Sequence, residues 1–444
     1  MLHRRKFLCG SALALGANPV LMGSAPFLLD LLGQRIWGMG QPGESGAKTP
    51  PVTKPRIAFL GTVVRNLSHS QHFLDRMTLG YTWGGRWRAP RVEVASVYVD
   101  QFPDGDLSQG RAKKHNLNMA ATIEDALTLG TGKLAVDGVA IIGEHGDYPQ
   151  NYIGQYLYPR YEWFKKVVRV FESSGRSVPV FNDKHLSTDW AGCAEMVADS
   201  KRLKFPFLAG SSLPVTWRLP QVELPLETPL KESVCVAYGG VDSYDFHALE
   251  TAQCMSERRK GGETGIRSVW ALKGPKLWAE LARPERKTTA NLVVSALNTS
   301  HSLPLELGYM SAPVDLAWAT KALPEVTGYL IDHRDGFRTT IILAKIADFN
   351  YAGMEHSGKI HNCQFMLPMP RKNATTADFF NPLIRHMEEM YLTGEVPYPI
   401  ERTLLTSGMV IGGVKSLSLG QRKIETPEMA VAYKPFAKSA FRTE

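Results

Sequence analysis

The chain has 444 residues, 44% of them hydrophobic and 21% charged, with a formal net charge of +8. That composition excludes a disordered, collagen-like or integral membrane protein and provides enough chain for two cores. The basic excess is spread thinly, with no Lys/Arg block interleaved with aromatics, so no nucleic-acid partner is expected.

The first 25 residues place Arg4, Arg5 and Lys6 before a Gly- and Ala-rich apolar run that closes on Gly23, Ser24 and Ala25. This looks like a twin-arginine export signal, since a membrane span takes about 20 strongly apolar residues. The expectation is a chain handed to the twin-arginine translocase and delivered to the periplasm or another extracytoplasmic space. Beyond Cys9 only Cys193, Cys235, Cys254 and Cys363 occur, irregularly spaced, which predicts free buried thiols. Residues 26–55, rich in Gly, Pro, Ser and Thr toward their end, read as a linker.

Residues 57–60 form an apolar run ending at Gly61, and residues 92–99 a β-branched run ending at Asp100; both predict strands. Between them, residues 68–77 suit a helix, and residues 80–90, with Trp83, Gly84, Gly85 and Trp87, a loop insertion. Thr122 is placed to cap a short helix reaching Leu129, and residues 136–142 predict the next strand. Tyr161, Phe164, Val167, Val168 and Phe171 recur at helical spacing before a strand over 178–181. A helix marked by Trp190, Cys193 and Val197 and a strand over 205–209 follow. Alternation of this kind predicts an α/β, Rossmann-type doubly wound parallel sheet over residues 56–220. After the proline-spaced passage 214–229 the pattern changes. A helix over 245–259, strands over 267–272, 328–333, 338–346 and 359–367, and closing helices over 377–391 and 401–410 predict an α+β domain over 221–444. The turn Arg334, Asp335, Gly336 favours hairpins, hence a largely antiparallel open sheet. Such a sheet is also a candidate face for a homo-oligomer.

Two apolar runs stop at clusters of ionisable residues: Ile141 and Ile142 lead to Glu144, His145 and Asp147, while Val180 and Phe181 lead to Asp183, Lys184 and His185. Parallel strands bind ligands at their carboxyl ends, so the clusters could converge on one crevice. Lys184 could there polarise a hydroxyl or carbonyl oxygen, and His145 could serve as a general base, with Asp183 and His185 beside them. The turn after the first strand carries one glycine, Gly61, where a dinucleotide fingerprint carries three. Arg65 and Ser68 could meet a phosphate instead, Asp100 could hold a ribose hydroxyl, and Glu144 stands at the adjoining strand end. Alternatively, Glu144, His145, Asp183, His185, His247 and Glu250 could gather a divalent Mn, Zn or Fe ion, with His247 and Glu250 one helical turn apart. A surface lysine, a satisfied loop histidine and a solvated helix face would leave the same letters.

Asp183-Lys184-His185 at a strand end, and His247 followed by Ala248, Leu249 and Glu250 early in the second domain, resemble the glucose-fructose oxidoreductase, inositol dehydrogenase and MocA-like (Gfo/Idh/MocA) family over about residues 56–433. That family typically reads Glu-Lys-Pro where this chain has Asp183-Lys184-His185. The resemblance therefore implies Lys184 as the catalytic lysine and His247 as the catalytic histidine. The aspartate usually found four residues before that histidine falls here on Ser243, with Asp242 and Asp245 out of register. The resemblance further implies NAD or NADP as cofactor and a sugar or polyol as substrate. Three functions stay open: an exported NAD(P)-dependent oxidoreductase, a metal-dependent lyase, isomerase or hydrolase, and a carbohydrate-binding protein without catalysis.

Overall fold

The computed structural model describes residues 53–305, 310–367 and 376–443. The expected export signal and most of the expected linker lie outside them. Among the described residues no helix is long and apolar enough to cross a membrane.

The first half runs β1 (Arg56–Gly61), α1 (His69–Leu79), β2 (Tyr81–Trp83), β3 (Arg86–Arg88), β4 (Glu93–Val99), α2 (Ser108–His115), α3 (Ile123–Thr128), β5 (Gly138–Ile142), α4 (Arg160–Ser174), β6 (Val180–Asp183), α5 (Trp190–Arg202) and β7 (Phe207–Gly210). β4, β1, β5, β6 and β7 form a parallel sheet in that order. Alternate residues leave a strand on opposite faces. Phe59, Ala140, Phe181 and Leu208 thus join the core under α1, while Leu60, Ile141, Val180 and Ala209 join the core under α3, α4 and α5. Each fully buried large side chain contributes about 1.5–3 kcal/mol. The chain leaves β1 for β4 on one side and returns to β5 on the other, so the crevice between β1 and β5 is the switch point where open α/β sheets bind ligands. Residues 80–90, expected as a loop, instead form the β2–β3 hairpin. Gly84 and Gly85, at φ +57° and +69°, supply the turn that two-residue hairpins need.

The second half contains β8 (Arg218–Leu219), β9 (Leu230–Tyr238), α6 (Tyr244–Ser256), β10 (Ile266–Lys273), α7 (Pro275–Leu281), α8 (Lys287–Leu297), α9 (Leu316–Ala322), β11 (Thr327–His333), β12 (Arg338–Ala344), β13 (Phe349–Glu355), β14 (Ile360–Phe365), α10 (Asn381–Thr393), α11 (Ile400–Ser418) and β15 (Ile424–Glu425). Its sheet runs β15-β10-β11-β12-β9-β13-β14-β8, and all its pairs are antiparallel except β9 with β12. One face packs on α6 and α11. The sheet does not close into a barrel, and part of its other face is covered from within the chain. Val234, Val236, Leu330 and Ile342 are buried there against Leu277, Trp278, Leu281, Leu292 and Val293 of α7 and α8. The two sheets are tied by the closing helix and the segment before the last one. Tyr391 on α10 donates its hydroxyl to the carbonyl of Val139 at 2.9 Å, and Tyr398 donates to that of Ala209 at 3.1 Å. The four described cysteines are free and buried, as expected.

Candidate functional site

The turn from β1 into α1 forms one wall. Gly61 is tightly enclosed, because a Cβ there would stand 3.0 Å from the Phe59 ring and 3.3 Å from Ser70 Oγ. Beyond it four backbone amides are satisfied by side chains of the same chain. Val64 donates to Asp106 at 3.0 Å, Arg65 to Ser68 Oγ at 3.2 Å, Leu67 to the Gln71 side chain at 2.9 Å, and His69 to Glu144 Oε1 at 2.8 Å. Ser68 is fully buried and also accepts the Gln71 amide as the N-cap of α1, so it is not a phosphate ligand. Arg65 is exposed, and its guanidinium reaches His145 Nδ1 at 2.9 Å.

At the end of β4, Asp100 is exposed and accepts the hydroxyls of Tyr98 at 2.7 Å and Tyr148 at 2.6 Å, one on each oxygen. Each carboxylate oxygen can accept a second bond, so the group is oriented and still free to receive ribose hydroxyls. What this wall offers a dinucleotide is side chains and not a glycine cradle, with Asp100 available to a ribose and Arg65 to phosphates.

Between this wall and α6 lies a cavity of about 520 Å³, lined by Arg65, His69, Glu144, His145, Lys184, His247, Tyr244, Phe379 and Phe380 among others. Lys184 sits at φ +65°, and its amide donates to the Gly210 carbonyl at 2.9 Å. It is nine-tenths buried. Its ammonium contacts Glu144 Oε2 and lies 3.6 Å from Asp183 Oδ2. Burial pulls the lysine pKa well below its usual value.

Asp183 turns the other way, with His69 Nδ1 at 2.8 and 3.0 Å from its two oxygens. Burial pushes its carboxyl up to about 8, against the pull of the Arg160 guanidinium. Burial and the nearby Lys184 charge lower His69. His69 carried no strand-end signature in the sequence. The signal that could have found it is the Ser68 N-cap, which places the next residue at the head of a helix beside the switch point.

Four sequence expectations change. His145 accepts a bond from Arg65 at Nδ1, and an arginine can only donate, so Nε2 carries the proton and donates to Glu144 Oε1 at 3.1 Å. Both ring nitrogens are thus engaged, which makes His145 an orienting group for Glu144 and not a general base; burial and the Arg65 charge also take its pKa down to about 4. His185 points out of the cavity, with Nε2 at 2.9 Å from Arg160 Nη1 and its ring against Phe246. Glu250 does not join His247. It accepts the Thr406 hydroxyl at 2.8 Å, on the side facing α11, and burial raises its carboxyl to about 7. The metal set expected from the sequence is therefore not assembled. Among the described residues the metal-ligating side chains that converge within 4.8 Å are His69, Glu144 and Asp183, and the Lys184 ammonium already stands against two of them. His247 does line the cavity, 5% exposed, with Nδ1 bonded to nothing.

The fold, a Rossmann-type domain followed by a mixed sheet domain, is shared with solved structures of low sequence identity. A myo-inositol dehydrogenase from Lactobacillus casei, solved with NAD(H) and myo-inositol, shares it at a TM-score of 0.50 and 11% identity over 86% of this chain and 99% of that one. A probable dehydrogenase from Thermotoga maritima shares it at 0.50 and 11% identity over 84% and 99%. No family model matches the sequence, and no curated protein sequence matches it.

Proposed function

We propose that this protein is an oxidoreductase of the inositol dehydrogenase type acting on a sugar or polyol with NAD or NADP. The observation that carries the reading is that Lys184, at the end of β6, and His247, on α6, line the same cavity at the switch point of the parallel sheet. Asp100 would hold a ribose and Arg65 the phosphates of the dinucleotide, whose nicotinamide supplies the hydride acceptor when bound. Lys184 donates to the reacting oxygen and stabilises the negative charge that develops there, a role suited to a lysine whose pKa burial has lowered. Glu144 holds that amine in place, His145 holds Glu144, and Phe379, Phe380 and Tyr244 keep water from the reacting carbon. On the same reading the basic and apolar first 25 residues are an export signal, and the protein works outside the cytoplasm. The test is titration of the purified protein with NAD and NADP, followed by NADH or NADPH formation with a panel of polyols. No binding at millimolar nucleotide would end the proposal.

The satisfied amides of the β1–α1 turn favour a second reading, redox-neutral acid–base chemistry on the same substrates. Exchange of a carbon-bound substrate hydrogen with deuterated water, in the absence of nucleotide, would favour it.

A further inference from the structure

We infer that the proton acceptor of this site is His69, held by Asp183, and not His247. The inference rests on the reading of the cavity as an acid–base centre for a hydroxylated substrate and goes beyond it by naming the base. A histidine that takes a substrate proton becomes an imidazolium, and in a buried site that charge needs a carboxylate on the other ring nitrogen, which also fixes the tautomer.

His69 has this partner. Its Nδ1 lies at 2.8 and 3.0 Å from the two Asp183 oxygens, and Asp183 is 1% exposed, so nothing in solvent competes for it. The ring lines the cavity and is fixed edge-on to Phe380 at 4.8 Å. With Nδ1 given to Asp183, Nε2 is the nitrogen left for a ligand. His247 has no such partner. Its Nδ1 is unbonded, and the nearest aspartate in sequence, Asp245, is committed to the head of its own helix. Asp245 accepts the amides of Asp242, Ser243 and Phe246 and the hydroxyl of Tyr329. Burial and the Lys184 charge disfavour a proton on both rings, so what separates them is the carboxylate that His69 has and His247 lacks.

The step is a simple transfer. The substrate hydroxyl proton passes to His69 Nε2, the oxygen keeps the bonding pair beside Lys184, and the new imidazolium keeps its other N–H on the Asp183 carboxylate. The groups facing the dyad are Lys184, Glu144, His145, His247 and Arg160. Because Asp183 is pushed up to about 8, the His69–Asp183 pair exchanges a proton near neutrality as one unit. Below that pH it holds the extra proton; above it Nε2 is bare.

The test uses the full chain and diethyl pyrocarbonate, which acylates only unprotonated imidazole, with peptide mass spectrometry to read each histidine. His69 is expected to react at a rate that rises through pH 8, while His247, unprotonated throughout, reacts at a rate that does not change over that range. In Asp183→Asn that midpoint should fall, because the amide cannot take up the proton. A His69 rate that does not change through pH 8 in the unaltered chain, a His247 rate that does, or an unchanged His69 profile in the variant, overturns the inference. The first comparison needs no variant to fold. In the second arm, with myo-inositol and NAD as probes, His69→Gln should lose at least a hundredfold in kcat with nucleotide affinity kept, and retention of kcat overturns the inference. Absence of turnover in the unaltered chain would instead count against the proposed activity, and the acylation profile would still decide the base.

Discussion

Glu144 accepts at Oε1 the backbone amide of His69, the first residue of α1, at 2.8 Å. A helix N-terminus carries about half a positive charge and attracts anions, and here a carboxylate from the end of β5 fills the position that a dinucleotide phosphate would approach. Glu144→Ala removes that charge and frees both the His69 amide and the Lys184 ammonium. Affinity for NAD and NADP is expected to rise about tenfold, roughly 1.4 kcal/mol, in a fluorescence titration. Thermal stability should fall by about 1 kcal/mol through the lost acceptor. Unchanged affinity would show that the phosphates never reach α1.

Lys184→Met keeps side-chain length and removes the cation between Glu144 and Asp183. Turnover should fall by about two orders of magnitude or more, the scale of a positioned acid–base group. Glu144 keeps the His69 amide and the His145 Nε2 proton, so the melting temperature should change little. Full activity in a folded variant would remove Lys184 from the chemistry.

Acid should unfold this protein through its buried histidines. Burial lowers His69, His185 and His247 well below 6.5, so the folded state leaves them neutral while the unfolded chain binds protons. Stability therefore holds above about pH 6.5 and is lost as pH falls below it. Asp183 has the opposite sign. Its raised pKa favours the folded state at low pH and costs stability as pH rises toward about 8. Melting temperatures between pH 4 and 9 should show an acid limb, and Asp183→Asn should steepen that limb and remove the decline between about pH 6.5 and 8.

The parallel sheet was legible because β1, β5, β6 and β7 are buried on both faces and read as short apolar runs. β9 was not, although it lies near the centre of the second sheet. Lys231, Glu232 and Ser233 interrupt its run, and Glu232 is fully buried with Arg338, on neighbouring β12, at 2.6 Å from one oxygen and the Thr289 hydroxyl of α8 donating to the other. The helices α7 to α9 escaped for a related reason, since their apolar faces answer a sheet face that only the folded chain creates. At the site, strand ends announced Lys184, Asp183 and Glu144, whereas roles depended on partners far along the chain. Asp183 finds its histidine 114 residues upstream, and Arg65 fixes the tautomer of a histidine 80 residues downstream.

Gly413 lies on α11 where the helix crosses β11. A Cβ at this position would fall well inside van der Waals contact with the Tyr329 ring, and Tyr329 is fully buried with no free space to yield. Its hydroxyl donates to Asp245 Oδ2 at 2.9 Å, and Asp245 in turn accepts the first amides of α6, the helix that carries His247. Gly413→Ala should therefore do two things. Overpacking should cost about 1–3 kcal/mol in urea unfolding. Displacement of Tyr329 should loosen the head of α6 and reduce turnover more than nucleotide binding, since Asp100 and Arg65 lie on the other sheet. Gly110, exposed on α2 with nothing within 4 Å of an added Cβ, is the control. Gly110→Ala should stabilise the helix by about 0.5–1 kcal/mol and leave activity alone. A Gly413→Ala protein as stable as the unaltered chain would mean that α11 can slide away from β11, and the route from this contact to His247 would have to be given up.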